Sequence, residues 1–232
     1  MFNESAALTE LHDRLDAVLS ALETREGISS EILAVNDGSG DGTRERLDAI
    51  SSRNSRFRVL HLPRNLGQHE AVLEGFAATH SPLVVTLDAD LQNPPEEIPR
   101  VVAALRAGHD LVATRRVSRE DSLGRRVVSR IANASTQFLL RAYTTVPIHD
   151  IGCMLRGYRR EVVDRVVANA RRPGSPAPFI PALSLSVAHN VCEIPVEHSR
   201  RLHGKSRYGL RGLARLHTRL LVTLLQGPQR ES

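Results

Sequence analysis

The chain is 232 residues long, 41% hydrophobic and 25% charged, enough for one domain with a substantial core and too short for two. Its 15 glycines and 12 prolines exclude collagen-like and low-complexity chains, its two cysteines, Cys153 and Cys192, exclude a disulfide framework, and no apolar run reaches the about 18 residues of a membrane-spanning helix. The net charge of +5 divides into −8 over residues 1–110 and +13 over residues 111–232, with arginine supplying every basic residue but Lys205. A basic half of this size calls for a polyanion. An aromatic content of 3% without tryptophan leaves few stacking surfaces for nucleic acid, so phosphate groups or an anionic membrane are the expected partners. The N-terminus has no basic-then-apolar leader, and the cysteine usage fits a reducing compartment.

In chain order, Leu8, Leu11, Leu15, Leu19 and Leu22 recur at helical spacing. A buried strand follows at 31–35, broken by Asn36-Asp-Gly-Ser-Gly-Asp-Gly42, then a helix at 43–50 and a strand at 58–62. A helix is expected over 67–78, a strand over 83–87, and a helix from Pro94 and Pro95 to about residue 106, with Glu96 and Glu97 in its first turn, where carboxylates suit the helix dipole. A fourth strand covers 110–114. This alternation of apolar strands and helices predicts an α/β fold, a parallel sheet covered on both faces. Further on, a helix is expected at 127–140, a strand at 152–158, a helix at 161–170, a loop at 171–178, a strand at 191–196, a polar loop at 198–207 and a helix at 210–226.

Three strand-end segments carry chemistry. Asp88-Ala-Asp90-Leu-Gln92 follows an apolar strand, and open α/β sheets bind ligands at the carboxyl ends of their strands. Two carboxylates and an amide oxygen at alternate positions offer hard donors to one Mg²⁺ or Mn²⁺, an ion suited to neutralising a diphosphate leaving group. The same pattern arises often by chance as a strand-end turn with a helix cap. In Asn36-Asp37-Gly38-Ser39, Asp37 is placed to accept from a base or ribose, while Asp41 or Thr43 caps the next helix. Arg64-Asn65-Leu-Gly67-Gln68-His69 opens a helix, a setting that suits a phosphate.

Together these segments, with the long run from Asp88 to Pro99, Asp150-Ile-Gly-Cys-Met-Leu-Arg156, Tyr158-Arg-Arg160 and Phe179-Ile-Pro181, resemble the family 2 glycosyltransferases of the GT-A fold. Within that family they are most similar to the polyprenyl-phosphate glycosyltransferases, with dolichyl-phosphate mannose synthases as more distant relatives. The resemblance covers nearly the whole chain. It implies a GT-A-type, Rossmann-like, mostly parallel sheet over residues 1–206, divided near residue 110 into a nucleotide-and-metal half and an acceptor half. Residues 207–232 would form a basic amphipathic helix and tail.

The activity so implied is inverting transfer of a sugar from a nucleoside diphosphate, UDP favoured and GDP as the alternative, to a polyprenyl phosphate. Mg²⁺ or Mn²⁺ would assist, and the protein would sit peripherally at the cytoplasmic face of the membrane. By motif matching, Asn3, Glu4, Asp37, Gly67 and Asp88 fall on the nucleotide side, and Asp88, Asp90 and Gln92 on the metal and diphosphate. The family's Pro-x-Tyr-Asn-Glu appears only as Met1-Phe2-Asn3-Glu4, and the first aspartate of Asp-Asp-Gly-Ser is Asn36. The first, central strand of the fold is therefore expected to be missing, leaving the strands at 31–35 and 83–87 facing a gap.

A phosphomonoester acceptor carries about −1.5 to −2 charge and is already a nucleophile, so it needs arginines more than a base. Arg115 and Arg201 match the family's arginines best, and Arg130 less closely. Lys205 and Tyr208 lie in a loop matching Gly-x-Ser-Lys-Tyr, and Asp150 is placed to orient the acceptor or an arginine or to cap a turn. His149 matches nothing and reads as incidental. Arg207, Arg211, Arg215 and Arg219 recur every four residues, a stripe fit for anionic lipid or for solvent. Two alternatives stay open. One is a hydroxyl acceptor, which needs a general base that only Asp150 offers; the other is a catalytically silent domain that binds nucleotide sugar.

Overall fold

The structure is a computed structural model that describes residues 1–117, 141, 144–173, 179–199, 218, 222 and 223. Helix α1 (Leu8–Glu26) buries Leu8, Leu11, Leu19 and Leu22 along one stripe and ends at Gly27, whose φ of 65° lets its N–H close onto the Glu23 carbonyl. Strand β1 (Ile32–Asn36), helix α2 (Thr43–Ser51) and strand β2 (Phe57–His61) form a crossover unit in which β1 and β2 pair in parallel, Ile32 opposite Phe57. Helix α3 (Gln68–Ala78) leads to β3 (Leu83–Thr86). A 3₁₀ turn at Pro95–Glu97 runs into α4 (Ile98–Arg106), followed by β4 (Leu111–Arg116). Then come β5 (Arg156–Arg159), α5 (Arg160–Ala170), α6 (Ile180–Val187) and β6 (Val191–Val196).

The elements expected in the first half lie within two residues of their predicted bounds. Two differences appear later. The strand expected at 152–158 is confined to Arg156–Arg159, because the Arg156 side chain folds back and takes up the carbonyls of residues 150, 151 and 153. Helix α6 has no counterpart among the predicted elements. The helices predicted at 127–140 and 210–226 lie outside the described residues, apart from Thr218, Val222 and Thr223.

The strands form a β1-β2 ladder and a four-stranded sheet in the order β3-β5-β4-β6. β6 runs parallel to β4, and β5 runs antiparallel to both of its neighbours, so three strands of the larger sheet point one way. Among the described residues β1 pairs only with β2 and β3 only with β5. Met1 lies beside β1: its ammonium donates to the Val35 carbonyl at 2.6 Å and its carbonyl accepts from the Asp37 N–H at 2.8 Å, the alternating pattern of a parallel ladder.

Strand β4 shows how the layers form. Leu111 and Ala113 face a core built with Leu73 and Phe76 of α3, Val162, Val163 and Val166 of α5 and Ile180 of α6. Val112 faces the opposite core, with Leu19 and Leu22 of α1 and Val101 and Leu105 of α4. Each such fully buried leucine or valine contributes about 1.5–3 kcal/mol. At Gly157 a Cβ would lie 2.5 Å from Val101 Cγ1, so glycine lets α4 seat directly on β5. The helices thereby hold the carboxyl ends of β1, β3 and β4 fixed, and those ends carry the chemistry.

Candidate active site

The turn after β3 carries Asp88 and Asp90. Leu91 takes φ 60°, a left-handed conformation costly for a branched side chain, yet it is only 1% exposed and packs with Ala7 and Leu11 of α1. Its burial holds the turn in this form, and Asp90 Oδ1 accepts the Gln92 N–H at 3.1 Å across it. Burial pushes the Asp88 carboxyl up to about 6, and the negative charge of Asp90 adds to this; a hydrogen bond from Gln68 Nε2 at 2.8 Å, the N-terminal ammonium and Arg116 work the other way.

Two neighbouring carboxylates, one made costly by burial, are the donor chemistry that a divalent cation relieves. Among the described residues no three His, Cys, Asp or Glu side chains gather at metal-binding spacing. An ion here would take Asp88, Asp90 and the Gln92 amide oxygen, with water and phosphate oxygens completing its shell. Such a partly open oxygen site fits Mg²⁺ or Mn²⁺.

On the nucleotide side the two glycine-bearing turns lock together. Asp37 is 3% exposed; its Oδ1 accepts the Leu66 N–H at 2.6 Å and its Oδ2 the Gly67 N–H at 3.0 Å. Gly38, at φ 66°, sits so close that a Cβ would lie 2.5 Å from the Asn65 nitrogen. Asn36, where the family has aspartate, spends its amide on His61 Nδ1 at 3.0 Å and the Ser39 N–H at 3.1 Å. Asn3 clasps this loop from the other side: its N–H donates to Ser39 Oγ at 3.0 Å and its Oδ1 accepts the Gly40 N–H at 3.0 Å. The Glu4 N–H donates to Thr43 Oγ1 at 3.2 Å. The sequence assigns Asp37 to the nucleotide itself. In the structure its two oxygens accept from the Leu66 and Gly67 N–H groups, which ties the two turns together.

The arginine of β4 that pairs with Asp150 and feels the charge of Asp88 is Arg116, the neighbour of the Arg115 expected on the acceptor side. Alternate residues of a strand point to opposite faces. Thr114 turns to the Leu155 carbonyl at 2.6 Å, and Arg116 on the same face forms a two-point pair with Asp150, Nε to Oδ2 at 2.5 Å and Nη2 to Oδ1 at 2.8 Å. Burial works against the charge of this guanidinium, but Asp150, Cys153 and Asp88 hold its pKa above the ordinary arginine value. Arg115 is 47% exposed, with Nε 3.8 Å from Glu193 Oε2. His149 is likewise engaged, its Nδ1 lying 2.7 Å from Glu193 Oε2.

The chain leaving β6 returns to the acidic turn. The Ser199 N–H donates to the Gln92 carbonyl at 2.8 Å, and the Glu197 N–H to Glu97 Oε1 at 3.0 Å. Arg201, Lys205, Tyr208, Arg130 and the stripe from Arg207 to Arg219 lie outside the described residues. Sequence reasoning passes over Gln68, Arg116, Arg156 and Glu193. The first and third stand inside the motifs quoted above, and strand alternation from buried Thr114 points to Arg116.

A layered α/β sheet with an Asp-x-Asp turn at the end of β3, glycine turns after β1 and β2, and an arginine across the cleft defines a GT-A glycosyltransferase fold. The chain belongs to glycosyl transferase family 2, whose family model matches residues 1–167. The undecaprenyl-phosphate 4-deoxy-4-formamido-L-arabinose transferase of Pseudomonas aeruginosa (strain LESB58) is 42% identical over 231 residues, which is 99% of this chain and 65% of that protein. The protein of the same name from Aeromonas hydrophila is 40% identical, over 99% of this chain and 67% of its own. The chain thus spans about two thirds of the length of these curated relatives.

Among solved structures, glucosyl-3-phosphoglycerate synthase from Mycobacterium tuberculosis, in complex with Mn²⁺, UDP-glucose and phosphoglyceric acid, superposes with a TM-score of 0.65 at 20% identity, over 97% of this chain and 76% of that one. Mannosyl-3-phosphoglycerate synthase from Rubrobacter xylanophilus gives 0.55 at 16% identity, over 91% of this chain and 67% of that one. At such identities they show the fold alone.

Proposed function

We propose that this chain transfers a sugar from a nucleoside diphosphate, UDP in preference to GDP, to a polyprenyl phosphate, with inversion at the anomeric carbon. The observation that carries this reading is the two-point Arg116–Asp150 pair beside Asp88. A hydroxyl acceptor needs a base, and the one candidate, Asp150, has both carboxylate oxygens committed to Arg116. A phosphate acceptor needs no base; it needs a guanidinium held in place, which is what Asp150 provides.

Asp88, Asp90 and Gln92 would hold Mg²⁺ or Mn²⁺, which when bound supplies positive charge to the departing diphosphate. The Asp37-braced turn and Gly67 at the start of α3 form the nucleotide wall. Arg116 draws an acceptor phosphate towards the sugar, and Arg115 adds charge at the exposed end of β4. Attack by a phosphate oxygen from the side opposite the diphosphate forms the new glycosyl bond as the old one breaks, and a single displacement of this kind inverts configuration. Arg201, Arg130, Lys205 and Tyr208 belong to the acceptor side in this reading. The Arg207–Arg219 stripe lies on anionic lipid at the cytoplasmic membrane face, and among the described residues no helix is long and apolar enough to cross a membrane. The relatives' names, which contain undecaprenyl phosphate, support this acceptor.

The test is a two-arm assay with Mn²⁺ and a panel of UDP- and GDP-sugars, with and without undecaprenyl phosphate in detergent. Sugar should appear on the lipid only when the lipid carries its phosphate. Equal transfer to undecaprenol, or to a glycan hydroxyl, would overturn the reading.

A further inference from the structure

We infer that Glu193 is a positioning residue that sets the phosphate-binding arginine through Asp150, an inference that rests on the function proposed above. Glu193 lies on β6, opposite Ala113 of β4, and its side chain is only 5% exposed. Among the described residues no hydrogen bond or ion pair joins it to Arg116. Its Oε1 accepts two successive backbone N–H groups, those of His149 at 2.7 Å and Asp150 at 3.1 Å, and its Oε2 meets His149 Nδ1 at 2.7 Å. Two N–H groups on one carboxylate oxygen fix the direction in which the Asp150 side chain leaves the backbone. That direction is the one that presents both Asp150 oxygens to Arg116.

The far end of the same turn is held by the opposite charge. Arg156 is fully buried, and among the described residues it pairs with carbonyls and not with a carboxylate. Its Nε donates to Cys153 O at 2.8 Å and its Nη2 to Ile151 O at 3.0 Å. An anion on the N–H end and a cation on the C=O end thus hold the turn from both sides. Arg116 also feels Asp88, whose negative charge attracts it. Glu193 thus acts on Arg116 through Asp150, and its Oε2 also lies 3.8 Å from Arg115 Nε.

The experiment uses the full chain with Glu193→Ala, Glu193→Gln, Asp150→Asn and the Glu193→Ala/Asp150→Asn double variant. The first readout is the Arg116 Nε–H resonance in a ¹⁵N spectrum, identified by its loss in Arg116→Lys. The second is KM and kcat for undecaprenyl phosphate, set beside the affinity for UDP with Mn²⁺. Glu193→Ala should shift or broaden the Arg116 resonance and lower kcat/KM for the lipid about 10-fold or more, the usual scale for losing an orienting partner, while UDP affinity stays within about 2-fold. Glu193→Gln keeps an oxygen for the two N–H groups and should lose about 3-fold or less. The double variant should lose no more than the worse single one, because both act along one path.

An unmoved Arg116 resonance in folded Glu193→Ala, or additive losses in the double variant, overturns the inference. Should Glu193→Ala fail to fold, Glu193→Asp, whose side chain is one methylene too short to hold both N–H groups, decides: an unmoved Arg116 resonance there overturns the inference. The spectrum reads positioning even if the wild type transfers nothing to lipid, so failure of the proposed function is seen separately.

Discussion

Gln68 and Asp88 are joined by a 2.8 Å hydrogen bond from the first residue of α3 to the turn after β3. Asp37 holds the two residues just before Gln68 by their backbone N–H groups, so a continuous path runs from the first glycine turn through Leu66 and Gly67 to the acidic pair. The glycine turns after β1 and β2 and the acidic turn after β3 are thus joined by hydrogen bonds. Replacing Gln68 by Ala removes the one side-chain amide that offsets the buried charge of Asp88, a loss of about 1.5–3 kcal/mol for a hydrogen bond to a charged group. Mn²⁺ affinity measured calorimetrically in the presence of UDP should fall about 10-fold or more. Equal affinity in Gln68→Ala and wild type would show that Asp88 needs no such support.

Asp90→Asn keeps the shape of the turn, because an amide oxygen can still accept the Gln92 N–H, but it removes one of the two charges that would hold a cation in the proposed site. Divalent-ion-dependent donor binding and turnover should drop by about 3 kcal/mol in the transition state, the size of one lost electrostatic contact. Unchanged turnover and Mn²⁺ affinity would sink the metal assignment.

Much of this unit is legible in the amino-acid sequence, and the reasons are local. The DAD turn, the two glycine turns and the strands that carry them depend on short-range chemistry: apolar runs, left-handed glycines and prolines at a helix start. What is not legible depends on tertiary context. Helix α6 is buried on nearly every side, so Leu183, Leu185 and Val187 alternate as a strand would and show no amphipathic stripe. The choice between Arg115 and Arg116 turns on which face of β4 meets the Asp150 loop, a fact set by pairing with β5 and β6. Glu193 reads as an ordinary charged residue of a strand until the 149–150 backbone is seen to close over it.

Leu91 gives a test of the turn's backbone. In most settings glycine is worse than alanine, by about 0.5–1 kcal/mol. At φ 60° alanine keeps the left-handed strain of about 1–2 kcal/mol and loses the packing against Ala7 and Leu11, whereas glycine loses the packing and sheds the strain. Both variants should be destabilised, by about 2–5 kcal/mol for Leu91→Ala, with Leu91→Gly no worse. Urea unfolding measures the order; a glycine variant clearly below the alanine one means that the turn relaxes out of the left-handed region.

Arg116→Ala would take the two-point partner from the mostly buried Asp150 carboxylate and destabilise the fold, so activity in that variant would say little about phosphate. Arg116→Lys keeps the charge and loses the two-point geometry. It should fold, bind UDP with Mn²⁺ almost normally and use undecaprenyl phosphate poorly, with a larger loss than Arg115→Lys, whose side chain is half in solvent. Thermal melts and KM for the lipid check this, and an Arg115→Lys loss exceeding that of Arg116→Lys would return the role to Arg115.

Arg201 is two residues beyond Ser199, whose N–H is fixed to the Gln92 carbonyl at 2.8 Å. Its place in the basic half of the sequence, in a segment that runs on to Gly204 and Tyr208, favours the acceptor phosphate over the donor diphosphate. Arg201→Ala should therefore raise KM for undecaprenyl phosphate about 10-fold or more, the loss of one charge-assisted contact of about 1.5–3 kcal/mol, with UDP affinity nearly unchanged. Because exposed charges are screened, the wild-type advantage should shrink between low salt and about 0.5 M salt if Arg201 works by long-range attraction, and persist if it touches the phosphate directly. An equal loss of UDP affinity in Arg201→Ala would place it on the diphosphate instead.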